Sequence, residues 1–491
     1  MRRHILSAGA VTALVGGIAL AGASSFTSSA AQEADHAAAA GGSGTQAKAA
    51  VPGKPADIDG DGYDDLGIGA PAASVKGHAS AGYVALTFGS ATGVKVTRHQ
   101  GLTQSHAGVP GTPEAGDRFG SAVAWGDLDG DGHADLIVGA SGEAIGEVKG
   151  AGSVTVVFGS SAGLSDRAIA FHSPSVKAHQ AFGGRLAVGD FNHDGLRDLA
   201  VADGTKVDVV QGAKNLRSTP TPKITRFTPP GGGAGTTGVS SGDVNGDGFA
   251  DLVTVAYNDD PADEGTLGVL PGSRSGLKST PLGASVGLPF ADYKAVVGDV
   301  NGDGKDDVVI DTVFEDGPDD YLLRTFPGTA SGLDKAGAVA WTGGPHEGIA
   351  NKLADVNHDG YDDLLVSNTT AADSDGFSNA GSLTVLSGSK NWLTATGAQT
   401  ISLDTKGVVG VAETNDQFGT ALAPADYNGD GKADLAVGVR GKWRNTGAVS
   451  MLYGGSSGLT GEGSILFGPD SFGYAAVNST FGAALSASPA S

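Results

Sequence analysis

The sequence predicts an all-β fold, a seven-bladed β-propeller of four-stranded antiparallel blades. Three observations predict it. A ten-residue pattern, D-x-[D/N]-x-D-G-x-x-D-[L/V], occurs seven times, opening at Asp57, Asp127, Asp190, Asp243, Asp299, Asp355 and Asp426. Starts 53 to 71 residues apart mark a repeat architecture. Each copy runs into a short apolar segment rich in Val and Ile, such as Leu136-Ile137-Val138-Gly139 or Leu435-Ala436-Val437-Gly438, which reads as a buried strand. A second motif, strand then Gly-Ser turn, alternates with the first and is clearest over 83–93 and 154–164. Strand, acidic loop, strand, connection, strand, turn, strand, seven times over, is a propeller blade repeated around a ring.

Each acidic loop is a candidate metal centre. Positions 1, 5 and 9 are Asp in every copy; position 3 is Asp in the first two and Asn in the other five. Position 6 is always glycine, suiting a sharp bend with positive φ. Position 7 varies freely, as expected if only its carbonyl is used. Hard oxygen donors at alternate positions around such a bend are what calcium requires. The expected ligands are Asp57, Asp59, Asp61, Tyr63 and Asp65; Asp127, Asp129, Asp131, His133 and Asp135; and Asp190, Asn192, Asp194, Leu196 and Asp198. They continue with Asp243, Asn245, Asp247, Phe249 and Asp251; Asp299, Asn301, Asp303, Lys305 and Asp307; Asp355, Asn357, Asp359, Tyr361 and Asp363; and Asp426, Asn428, Asp430, Lys432 and Asp434. Up to seven Ca²⁺ are expected. An isolated Asp-Gly turn is the bland alternative for one copy, but seven copies with the same positions filled argue against it. The loop is not an EF-hand, because position 12 is Ile, Val or Thr instead of Glu and strands flank it. His193 and His358 stand at position 4, where the other loops have Gly, and read as exposed spacers.

Composition agrees. The seven loops hold 26 of the 54 acidic residues in a chain of net charge −23, and seven divalent ions would reduce that charge to about −9. The charge argues against nucleic acid and anionic membrane surfaces as partners. Residues 1–31, with Arg2-Arg3-His4 before an apolar run of small residues, read as a signal peptide, followed by no membrane insertion of the mature chain. Residues 32–55 read as a disordered Ala/Gly/Ser-rich linker, and 56–487 as the propeller. Secretion without a single cysteine leaves no disulfides to support the fold, a role calcium would take.

The ends of the repeat region predict ring closure. Phe119-Gly120, Phe182-Gly183 and Phe418-Gly419 each place Phe eight residues before a loop. Phe481-Gly482-Ala483-Ala484-Leu485 repeats that strand with no loop after it, while the loop at Asp57 has no such strand before it. The strand over 480–487 is therefore expected to complete the first blade and remove an exposed edge.

Phe-Gly, the acidic loop and Gly69-Ala70-Pro71 together resemble the FG-GAP repeat family, the propeller of integrin α-subunits and of many secreted bacterial proteins. Repeats four to six depart from it, with Gly235-Thr236, Ala291-Asp292 and Glu347-Gly348 in place of Phe-Gly. The resemblance implies a calcium-stabilised propeller serving in adhesion and recognition; the module is expected to be extracellular and monomeric, with a protein or glycan partner. Variable connections opposite the acidic loops are the expected binding face. Its candidates are Trp443 with Arg440, Lys442 and Arg444; Tyr257 with Asp259 and Asp260; and Phe377. Trp125 reads as core. Two G-x-S-x-G matches, Gly159–Gly163 and Gly454–Gly458, fall in the repeated turn with no helical pattern after them, so no catalytic residue is assigned. The alternative reading is a secreted carbohydrate-active enzyme, such as a polysaccharide lyase using bound calcium.

Overall fold

The computed structural model describes residues 55–486 except 220, 232–234, 258–264, 289–294, 314–320, 338, 343–347, 374 and 475–476. The expected signal peptide, nearly all of the linker, Asp259 and Asp260 lie outside them. The strands form seven four-stranded antiparallel sheets, one per acidic loop. In blade II the strands Phe119–Gly126, Asp135–Ala140, Ser153–Val157 and Ala168–Phe171 lie side by side in chain order, with the acidic loop joining the first two. Blades III to VII follow the same order, and blade V adds a two-residue hairpin, Gly328–Thr329 with Gly332–Leu333.

Blade I is assembled from two distant segments. Leu66–Ala70, Tyr83–Phe88 and Lys95–Leu102 receive their inner neighbour from Ala484–Leu485, with Gly69 opposite Ala484 and Ile68 opposite Leu485. The Gly67 N–H donates to Ser486 Oγ at 2.7 Å. The inner strands pack in sequence around an axial cavity of about 450 Å³, lined in part by Trp125, Val188, Ser240, Val297, Leu353, Pro424 and Leu485. Since the blades face one another, the core lies between them: Phe119, Trp125 and Leu136 of blade II pack with Val84, Leu86 and Phe88 of blade I. Trp125 is fully buried.

A belt of backbone hydrogen bonds joins the acidic loops around the ring. The position-8 N–H of each loop donates to the position-1 carbonyl of the loop before it: Ala134 to Asp57 (2.9 Å), Arg197 to Asp127 (2.9 Å), Ala250 to Asp190 (3.1 Å) and Asp306 to Asp243 (2.9 Å). Asp362 to Asp299 (2.9 Å) and Ala433 to Asp355 (3.1 Å) continue it, and Asp64 to Asp426 (3.3 Å) closes the circle. The inner strands of blades IV to VI form without the Phe-Gly signature, over Gly235–Gly242, Ala295–Gly298 and Gly348–Ala354.

Candidate metal centres and recognition face

Each acidic loop is shaped by its first aspartate, whose carboxylate accepts the N–H groups of the bend. Asp299 is representative: Oδ1 accepts from Gly302 (2.6 Å) and Asp303 (3.2 Å), and Oδ2 from Gly304 (2.8 Å). The position-6 glycine has positive φ in all seven loops, from 81° at Gly304 to 94° at Gly62.

Position 9 does more than face the loop. Its side chain is 0% exposed in every copy, and one oxygen always accepts the N–H of a glycine at or just past the end of the third strand: Gly89 on Asp65 (2.9 Å), Gly159 on Asp135 (3.0 Å), and so on to Gly454 on Asp434 (3.0 Å). The other oxygen of Asp65 takes the Ile58 N–H at 2.9 Å, and that of Asp135 the Leu128 N–H at 2.9 Å. One carboxylate thus ties the acidic loop to the turn beside it. Burial pushes Asp65 up to about 8, against the pull of its two N–H donors. Asp198, Asp251, Asp307, Asp363 and Asp434 rise to about 7 for the same first reason. A buried anion beside two or three others demands a counter-charge.

The expected ligands converge in part. One oxygen each of Asp57, Asp59 and Asp61 lie within 4.8 Å of one another, as do oxygens of Asp127, Asp129 and Asp135. Asp129 Oδ1 is buried and has no hydrogen-bond partner. Anionic oxygens around an unpartnered buried acceptor suit a hard divalent cation, so the donor set fits calcium. In three of the five loops with Asn at position 3, its amide turns toward position 9: Asn245 Nδ2 donates to Asp251 (3.1 Å), Asn301 to Asp307 (3.0 Å) and Asn428 to Asp434 (3.2 Å).

Position 7 departs from expectation, because its side chain is used. It crosses to position 4 of the preceding loop. A Cβ added to Gly60 would lie 2.9 Å from His133 Cε1, one on Gly302 2.7 Å from Tyr361, and one on Gly429 2.7 Å from Tyr63. Phe249 meets His193 with ring centroids 5.6 Å apart. Glycine at position 4 therefore makes room for the neighbour as well as supplying the left-handed turn. His193 and His358 are exposed and adopt that turn at φ 54° and 60°.

Family models match these repeats. The FG-GAP repeat matches residues 55–86, 119–157 and 418–450, and an FG-GAP-like repeat matches 190–254. The chain carries FG-GAP repeats within its β-propeller. Phosphatidylinositol-glycan-specific phospholipase D of Rattus norvegicus is 32% identical over 147 residues, covering 30% of this chain and 17% of that protein. The Homo sapiens protein of the same name is 33% identical over 146 residues, with the same coverage. This chain spans less than a fifth of those relatives. Among solved structures, the Dos1 propeller is 10% identical with a TM-score of 0.39, covering 76% of this chain and 78% of its own.

On the face opposite the acidic loops, the candidate ligand residues do not form one site. Trp443 (46% exposed) and Arg444 sit on a turn over Lys442–Asn445 with left-handed φ of 51° and 61°. Phe377 is 40% exposed on the neighbouring blade VI. Tyr257 ends a strand of blade IV, three blades from Trp443. Arg440 is engaged by Gln417, with Nη2 donating to Oε1 at 2.8 Å. Lys442 is a correction: it is buried, its ammonium donating to Val411 O (2.7 Å), Asp416 Oδ2 (2.8 Å) and Glu413 Oε2 (2.9 Å). It anchors the connection and is not available to a ligand. Val409 and Val411, which sequence reasoning missed, are 49% and 66% exposed on the strap that Lys442 holds.

In the first G-x-S-x-G match, Ser160, which precedes the motif serine Ser161, is a turn lock. Ser160 Oγ donates to Gly163 O at 2.9 Å, as Ser90 does to Gly93 and Ser273 to Gly276.

Proposed function

We propose that this FG-GAP propeller is a secreted, calcium-loaded recognition module that binds an extracellular protein or glycan through its irregular face. The observation that carries the calcium part is the ring of seven position-9 carboxylates, each 0% exposed beside further acids. Positions 1, 3, 5 and 9, with the position-7 carbonyl, would hold the ion. Bound calcium supplies positive charge to those oxygens, and its role is structural. The chain's own part is to present preformed loops tied to their neighbours by the position-8 belt.

For recognition, support comes from the blade VI–VII connections, where Val409, Val411, Trp443 and Phe377 are exposed on a rigid ring. Exposed aromatics with a polar surround suit stacking on sugar rings or anchoring a protein partner. A glycan array with and without chelator, paired with an assay for released unsaturated sugars, tests the reading. Saturable binding lost on Trp443→Ala is expected, whereas product turnover would overturn it in favour of a carbohydrate-active enzyme.

A further inference from the structure

The two loops with aspartate at position 3 differ from the other five in a second way. Each already holds a guanidinium. In loop I, Arg98 Nη2 pairs with Asp59 Oδ2, and Nη1 lies 3.5 Å from Asp61 Oδ2. In loop II, Arg217 Nε lies 2.6 Å from Asp129 Oδ2 and Nη2 2.6 Å from Asp131 Oδ2. Arg217 also donates to Gly159 O at 3.2 Å.

The oxygens involved matter. Asp59 Oδ1 and Asp61 Oδ1 are committed to loop N–H groups, those of Asp61 and Tyr63. Asp131 Oδ1 is likewise committed to His133. For Asp59, Asp61 and Asp131 the arginines hold the one remaining oxygen, which a metal would otherwise draw, whereas Asp129 keeps Oδ1 without a partner. Charge agrees: loops I and II carry four carboxylates at positions 1, 3, 5 and 9, the other loops three, and one guanidinium brings the pair level with loops III, IV and VI, while in loops V and VII the position-7 Lys305 and Lys432 pair with Asp303 and Asp430.

The same two repeats alone carry phenylalanine before the turn glycine, the others having Gln211, Pro271, Pro327, Ser387 and Tyr453. Arg98 Cζ sits 4.0 Å from the Phe88 ring centroid and Arg217 Cζ 5.1 Å from that of Phe158, a cation–π shelf. Yet the arginines come from unrelated segments. Arg98 is on the outer strand Lys95–Leu102 of blade I, and Arg217 on the 3-10 turn Leu216–Ser218 of blade III. One placement reached by two routes is not a by-product of the repeat.

We infer that Arg98 and Arg217 are built-in counter-ions of loops I and II, holding them closed without metal and leaving when calcium enters. This rests on the calcium reading above. Loops I and II are then the weakest calcium sites of the ring, despite having the most carboxylates.

The test uses the full chain with Arg98→Met and Arg217→Met, singly and together, because Met keeps an apolar stem on each Phe. Calcium stoichiometry is read by native mass spectrometry, and site affinities by competition with a chromophoric chelator. Two weak sites are expected in the parent chain, each tightening about 5- to 10-fold in its variant. The melting temperature of each variant should fall in chelator and hold in millimolar calcium. Arg98→Lys, a weaker counter-ion for two carboxylates, should fall between. Unchanged affinities, or equal melting losses with and without calcium, would overturn the inference and mark both arginines as ordinary ion pairs. Absence of any bound calcium in the parent chain would instead sink the underlying reading, and the inference with it.

Discussion

The four blade junctions that carry Phe-Gly and the three that lack it are sealed by different means. At the I–II, II–III, VI–VII and VII–I junctions a phenylalanine (Phe119, Phe182, Phe418, Phe481) is fully buried. Its N–H donates to the preceding blade, at Ala81, Ala151, Ala380 and Thr446. The following glycine has φ of 81° to 95°. Glycines of the preceding blade accept the close approach: a Cβ on Gly82 would lie 2.2 Å from Phe119 O, and one on Gly447 2.2 Å from Phe481 O. At two of the junctions without phenylalanine, IV–V and V–VI, position 8 of the acidic loop is Asp306 or Asp362. Asp306 Oδ2 accepts the Asp243 N–H at 2.7 Å while the Asp306 N–H returns to Asp243 O. The VII–I junction has both devices, since Asp64 Oδ2 accepts the Asp426 N–H at 3.0 Å. A ring closed by a two-residue strand is clamped most heavily where it is assembled from distant segments.

The largest expected effect follows from that. Deleting residues 478–491, or Phe481→Ala alone, removes the clamp on blade I; the point variant should cost about 3–5 kcal/mol, read by thermal or urea unfolding. Phe119→Ala should cost less than Phe481→Ala, and equal losses would mean that closure is no special burden. Next, Asp306→Ala should cost about 1–3 kcal/mol by orphaning the Asp243 N–H.

The phenylalanines and acidic loops were legible because short, fixed spacings encode them. The inner strands of blades IV to VI were harder, since the carboxylate that seals two of their junctions looks like one more acid in an acidic loop. Arg98 and Arg217 were invisible for another reason: they lie 37 and 86 residues from the aspartates Asp61 and Asp131 they pair with. Lys442 was misplaced because its partners Glu413 and Asp416 belong to the preceding connection. The position-7 side chains looked unconstrained because Tyr, His, Leu, Phe and Lys can all cover a neighbouring glycine.

A second pair of regions sharpens the comparison. Connections 103–117 and 402–416 follow one pattern: the Gly142 N–H donates to Asp117 O as the Gly441 N–H does to Asp416 O, both at 2.9 Å. Where the second is followed by Lys442, the first is followed by Glu143, facing Asp117 and Glu114. Burial, then those two acids, raise Glu143 to about 7, against a hydrogen bond from Gln104 at 2.6 Å. A carboxyl whose folded value exceeds its unfolded one lends stability at low pH and loses it as pH rises through the folded value. Glu143→Gln should therefore gain about 1–2 kcal/mol at pH 8, after allowance for partial exposure, and nothing at pH 4. Glu143→Lys should reproduce the Lys442 arrangement and gain at neutral pH too. A gain independent of pH would contradict the assignment. The smallest effect is His358→Gly, expected to stabilise by about 0.5–1 kcal/mol by relieving a left-handed non-glycine residue, with His193→Gly parallel to it.

Whether cations balance the buried carboxylates of the acidic loops is read from thermal unfolding of the full chain in millimolar calcium and in excess chelator, with bound metal counted by native mass spectrometry. Bound calcium and a melting temperature many degrees lower in chelator are expected. An unchanged melting temperature in a protein that carries no calcium would contradict that expectation.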